Sequence, residues 1–230
     1  MLAGVGTTWY TWLEQGRDVQ PSPEVLAALA DALNLDPAER RHLFILNDRP
    51  APTTRPAGPE RVAPTLRRML DSLSGQPALV LGRRWDILAW NRAADAVYGP
   101  YDRLAGDERN MLHLVFADPD HRRLLVDWET VAKSAIAMFR GDFARYAGNA
   151  DFERLVARLA RLSTEFAAWW PLRKVAEPAA GLKRLDHPSM GRMEFEYSSF
   201  SVGDQPDMKL IVFTPLEEDG TAGKLARLLT

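Results

Sequence analysis

Residues 76–99, QPALVLGRRWDILAWNRAADAVYG, decide the fold of most of this chain. Leu79 to Leu81 read as a strand, Gly82-Arg83-Arg84 as its turn, and Trp85 to Trp90 as the returning strand. Asn91 then stands where a helix begins. Its side-chain oxygen can accept from an unpaired first-turn N–H, and Ala94 and Val97 follow at helical spacing. A hairpin running into a capped helix predicts an α+β unit in which helices pack on an antiparallel sheet.

The residues downstream supply those helices. Met111, Leu112, Leu114, Val115 and Phe116 form one apolar patch. Asp118-Pro119 caps a second helix, along which Leu124, Trp128, Val131, Ala135 and Met138 recur every three or four residues as one continuous stripe. Phe152, Leu155, Val156 and Leu159 mark another helix, and Ser163 caps a short one with Phe166, Trp169 and Trp170. The period then changes. Met193, Phe195 and Tyr197 alternate with Arg192, Glu194 and Glu196, as in a half-buried strand whose glutamates face water. Strands are expected near 78–82, 85–90, 184–202 and 208–213, and a last short helix at 224–229.

Upstream, residues 63–73 form an amphipathic helix, and 48–60, DRPAPTTRPAGPE, carry too many prolines for a packed element. Ser22 caps a helix that ends at Asn34, with Val25, Leu26, Leu29, Ala30 and Leu33 at helical spacing. Asp36, Pro37 and Glu39 open another, in which Glu39 can reach back to Asp36 and His42 is partly exposed. The expected parts are residues 1–47, a linker at 48–62, and a second domain at 63–230.

The chain starts with a second motif. In LAGVGTTWYTWLEQGR, 2–17, a helix end meets a Gly-Val-Gly turn, and a new helix carries Tyr10 and Leu13 on one face. Thr7, Thr8, Trp9, Thr11 and Trp12 occupy the remaining arc. The stretch resembles the turn and recognition helix of the lambda-repressor-like helix-turn-helix readers. That resemblance makes those five residues base-facing and Arg17 a phosphate contact. An ordinary helical hairpin would use the same residues. The resembling domain has two further helices before this point, of which only Leu2-Ala3 remains here. The expectation is a partial domain, from a misassigned start or a natural remnant, with open apolar surface at Tyr10, Leu13, Leu26, Leu29 and Leu33 and impaired DNA binding if the chain starts at Met1.

Composition narrows the classes. The 230 residues are 46% hydrophobic and contain no cysteine, which excludes disulfides and thiol chemistry and permits a cytoplasmic home. No apolar run approaches the roughly 18 residues of a membrane span. The net charge of −2 gives no broad basic footprint. Within residues 1–50, four arginines face seven acids, so DNA affinity must rest on a few placed groups. The four histidines are scattered, and neither HExxH nor GxSxG occurs. No catalytic residues, metal site or cofactor are expected.

The segments WYTWLEQGRDVQPS at 9–22, LDPAERRHLF at 35–44, VLGRRWDILAWNRAA at 80–94, RNMLHLVFADPDHR at 109–122, DWETVA at 127–132 and STEFAAWW at 163–170, with the His187-Pro188 step, resemble in order the MmyB-like transcription regulators. The resemblance implies an N-terminal helix-turn-helix that reads DNA and a PAS-like half that accepts an amphipathic ligand, with fatty acids as the implied class. After Trp170 that family tends to a His-Asp pair, and this chain carries Arg173-Lys174. The expected function is a ligand-responsive regulator, possible as a homodimer; the alternative is a DNA-independent protein that senses or sequesters a lipid-like molecule. The expected pocket lies between the sheet and the helices of 110–170. Its walls would be Trp90, Met111, Leu114, Trp128, Val131, Ala135, Phe166 and Trp170, with Arg84 or Arg173 meeting a carboxylate at the mouth. The tryptophans equally suit plain core packing, and Arg83 and Arg84 a solvated turn.

Overall fold

The computed structural model describes residues 11–12, 14–15, 17, 21–47, 60–146, 148–172, 181–203, 205–217 and 219–230. The chain divides into two compact units, Met1–Gly58 and Pro59–Thr230.

In the first unit, helix α1 (Pro23–Ala32) begins at Ser22, whose hydroxyl accepts from Val25 N–H at 3.4 Å, and stops before Asn34 in the left-handed region at φ +51°. Helix α2 (Pro37–Ile45) opens on a reciprocal cap. Glu39 N–H donates to Asp36 and Asp36 N–H to Glu39, both at 2.9 Å. Leu26 and Leu29 are buried, contrary to the expectation of open surface there, whereas Leu33 is exposed. Phe44 of α2 is buried, and Leu46 beyond its end is exposed. Tyr10 and Leu13 lie outside the described residues.

The second unit is built on a five-stranded antiparallel sheet in the order β2-β1-β5-β4-β3. Helix α3 (Pro64–Ser72) precedes β1 (Ala78–Leu81) and β2 (Ile87–Trp90). Between β2 and β3 run α4 (Arg92–Tyr98), α5 (Met111–Ala117), α6 (Pro119–Leu124), α7 (Trp128–Arg145), α8 (Ala150–Leu162) and α9 (Thr164–Trp169). Strands β3 (Leu182–His187), β4 (Gly191–Val202) and β5 (Gln205–Pro215) follow, and α10 (Thr221–Leu229) closes the chain.

Strand alternation sorts two cores. Leu79, Leu81, Phe195 and Phe213 belong to the core under α4–α9. Ala78, Val80, Met208 and Leu210 belong to a smaller core that contains Leu70 of α3. The C-terminal helix is fastened by Thr221, whose hydroxyl accepts from Glu194 N–H at 2.8 Å and donates to Asp219.

Two expectations are corrected. Residues 184–202 are not one strand. Pro188 cannot donate to a ladder, and Gly191 takes φ +64°, so the chain reverses at 188–190 and β3 pairs back on β4. The stripe from Leu124 to Met138 is also broken. Leu125 is extended and bridges Leu185, Val126 N–H donates to Arg184 O, and α7 starts afresh at Trp128. That segment covers part of the outer edge of β3.

Asn91 joins the outer core to the sheet. Its side-chain oxygen accepts from Ala94 N–H at 2.9 Å and Ala78 N–H at 3.0 Å. Its amide nitrogen donates to Leu73 O and Gln76 O at 2.8 Å and to Leu70 O at 3.3 Å. Alanine at 91 would strand several buried groups at once. We expect Asn91→Ala to lose roughly 3–5 kcal/mol of unfolding free energy. Asn91→Asp, which cannot donate, should also be strongly destabilised. Urea denaturation followed by near-UV circular dichroism measures both, and a loss below about 1 kcal/mol would refute the clamp.

Candidate functional site

Of the residues expected to face DNA, Thr11 and Trp12 are helical and exposed, and the Arg17 guanidinium lies 5.8 Å from the Trp12 ring. Gln15 N–H donates to Thr11 O at 3.0 Å, which continues the turn. Thr7, Thr8 and Trp9 lie outside the described residues.

In the second unit a cavity of about 140 Å³ lies between α7 and the inner sheet face. Val131, Ala135 and Met138 line it from α7, Met111 from α5, and Leu81, Tyr197, Ile211 and Phe213 from the sheet. Trp85 forms part of the wall from the β1–β2 turn. Polar groups come from Ser134, Ser199, Lys183 and Lys209.

The structure brings Met111, Val131 and Ala135 together here and places the other expected walls elsewhere. Trp128 and Phe166 join an aromatic cluster with Phe116, with ring centroids 6.2 and 5.0 Å from it, and Trp128 Nε1 donates to Val115 O at 2.7 Å. Trp170 stacks on Phe166 at 5.5 Å. Trp90 meets Tyr101 edge-on at 5.5 Å. Leu114 lines a wider, open cleft of about 710 Å³ bounded by α4, α6 and the β3–β4 turn.

Arg84 is not among the cavity's lining residues. Its guanidinium meets Asp86 at 3.0 Å and Asp107 at 2.6 Å, and these carboxylates raise its pKa against the desolvation that lowers it. Arg83 pairs with Glu60 at 3.3 Å. Both turn arginines thus meet carboxylates of the chain itself. Arg173 lies outside the described residues.

The two cavity lysines differ. The Lys209 ammonium pairs with the buried Asp142 carboxylate, which also accepts from Trp85 Nε1 at 2.7 Å and pairs with Arg145. Lys183 is half-buried 5.9 Å from the Tyr197 ring and has no carboxylate partner among the described residues. Burial pushes its ammonium down to about 8, so it remains mostly protonated at neutral pH. Nearby His121 is buried, and its Nδ1 has no partner among the described residues; burial, and then the Lys183 ammonium, push its imidazole down to about 4.

Neither lysine figured among the expected site residues. The signal lies in the hairpin register. Met193, Phe195 and Tyr197 sit opposite Leu185, Lys183 and Gly181, so recognition of the 188–190 turn turns Lys183 inward.

Residues 62–229 match the family described as the MmyB-like transcription regulator ligand binding domain. The chain belongs to the MmyB-like transcription regulators. Residues 1–43 match a helix-turn-helix domain. No curated protein matches the chain. The regulator therefore combines a DNA-reading part with a ligand-binding part, as a ligand-responsive DNA-binding protein. Among the described residues, no helix is long and apolar enough to cross a membrane, and no cluster of three metal-ligating side chains occurs.

His121 gives the ligand-binding unit an acid limit. Unfolded, its imidazole titrates near 6.5; folded, near 4. Between these values the unfolded chain binds the proton that the folded chain refuses, so stability rises with pH through this window. The contribution is complete above pH 6.5 and is lost as pH falls toward 4, by roughly 3 kcal/mol. Denaturation at pH 7 and pH 4.5 should show this loss, and His121→Leu should remove most of it. An equal pH dependence in that variant would rule His121 out as its source.

Proposed function

We propose that the regulator senses an amphipathic small molecule of the fatty-acid class in the cavity under α7, and that occupancy changes its DNA binding. The carrying observation is an apolar cavity with one ammonium that lacks a carboxylate partner among the described residues. Apolar walls favour a hydrocarbon chain at about 0.8 kcal/mol per buried methylene, and a cation in such walls favours an anionic head group. A five-stranded antiparallel sheet with its helices inserted between β2 and β3 supports the PAS-like reading of residues 63–230.

On the DNA side, Thr7, Thr8, Trp9, Thr11 and Trp12 are the proposed base-facing residues, with Arg17 on phosphate. We propose a cytoplasmic regulator for which fatty acid and DNA are the partners, and a homodimer would match a two-fold operator. Residues 1–47 and 48–62 are proposed as DNA-reading part and linker.

Organic extraction of the purified protein followed by mass spectrometry should find a fatty acid, or added fatty acid should raise the melting temperature. Val131→Trp and Ala135→Phe fill the cavity and should weaken acid binding at least about tenfold while the protein stays folded. Duplexes selected from a random pool then report the output by fluorescence anisotropy with and without acid. Parental binding by both folded variants would displace the ligand from this cavity. Ligand binding without any duplex selected would favour the sequestering role.

A further inference from the structure

We propose that the cavity selects medium-chain carboxylates, taken with the acid at Lys183 and the chain directed toward Trp85; the inference rests on the cavity reading above. Two ammonium groups border one small apolar space. They are set apart by register: Lys183 lies opposite Phe195 on β4, whereas Lys209 lies opposite Ser201 on the other side of that strand. Six residues of β4 separate those rows, roughly 20 Å of strand. The lysines therefore approach from opposite ends, and the cavity has a direction.

Charge sets that direction. At the far end Lys209 already holds the Asp142 carboxylate, which it shares with Arg145, and lies over the Trp85 ring at 5.5 Å. A second carboxylate there would meet Asp142. At the near end Lys183 has the face of Tyr197 and no carboxylate among the described residues, and His121 stands by without a charge of its own at neutral pH. A partly desolvated ammonium without a counter-ion gains most from an arriving anion. An alcohol or ester supplies none.

Volume sets chain length. About 140 Å³ compares with the roughly 150 Å³ apolar cavity that holds a benzene molecule, so about six chain carbons fit inside. Each buried methylene is worth about fourfold in affinity. The space is half-open, so carbons that extend past its walls meet water and add little. Affinity should therefore climb steeply from butanoate to about octanoate and then level off.

Isothermal titration of the full chain with butanoate, hexanoate, octanoate, decanoate and tetradecanoate, each below its micelle concentration, tests the length limit. Octanol and methyl octanoate test the head group. The expected result is a rise of about fourfold per methylene up to octanoate, less than about threefold in total beyond it, and octanoate at least about tenfold tighter than its ester. Lys183→Arg should keep that preference. Lys183→Met, an apolar chain of similar length, should lose it while binding octanol like the parent, which shows the cavity intact. A steady rise to tetradecanoate, or octanoate binding unchanged in Lys183→Met, would overturn this proposal and leave the broader fatty-acid reading standing. Failure of every acid, the ester and the alcohol to bind the parent would overturn both.

Discussion

A buried carboxylate has to be matched, and Asp142 is matched from three directions. The Trp85 indole reaches it from the β1–β2 turn, Lys209 from β5, and Arg145 from the next turn of the same helix. Removal of a partner leaves charge stranded in a poorly solvated place, a cost of several kcal/mol, so the set holds together as one knot. It fixes α7 over the sheet. It also holds Trp85 at φ +66°, a left-handed conformation that costs a bulky residue about 1–3 kcal/mol, with its ring packed edge-on to Phe139 at 5.6 Å. The far wall of the cavity is thus held by a buried hydrogen bond and a ring contact together.

The sheet's other face depends on a neutral group. Asn91 binds five backbone groups, and each of its two side-chain atoms is used as chemistry permits: oxygen accepts, nitrogen donates. The end of α3, the start of β1 and the start of α4 meet at that one amide. The amide thereby fastens the outer core at α3 to the inner core at α4.

Local signals were legible because their physics is local. Ser22, Asp36, Asn91, Asp118 and Ser163 each accept from the first turn they precede, as their residue types and the following spacing indicate. The breaks came from distant partners. The interruption after Leu124 exists because Leu125 pairs with Leu185, sixty residues on, and helical spacing carries no trace of that. Strand β3 was obscured because an inward Lys183 spoils the apolar alternation that would announce a strand. The tryptophans show a further limit. Spacing placed Trp128 and Trp170 on the inner faces of their helices, but a ring on an inner face can line a hollow or fill a core. Here they pack against other rings at 5–6 Å, which three-dimensional arrangement alone decides.

The unequal ends of the cavity bear on how occupancy could be transmitted. A ligand shifts a conformational equilibrium only by the difference in its affinity for the two states. Binding energy released against the Asp142 knot would be similar in any state that preserves the knot, and would therefore shift little. Binding energy released at Lys183 depends on where β3 holds its ammonium relative to the chain's head group. On β3 sit also the bridge to Leu125, the ion pair of Arg184 with Asp127 at 2.7 Å, and the turn whose His187 contacts Ala96 O of α4 at 3.2 Å. Leu185 anchors the edge strand in the core beside Leu125, while the start of α7 and the middle of α4 are reached through single polar links. Such links exchange at smaller cost than buried contacts, so if an acid is held as proposed, the Lys183 end rather than the pinned end is where its binding would favour one arrangement over another.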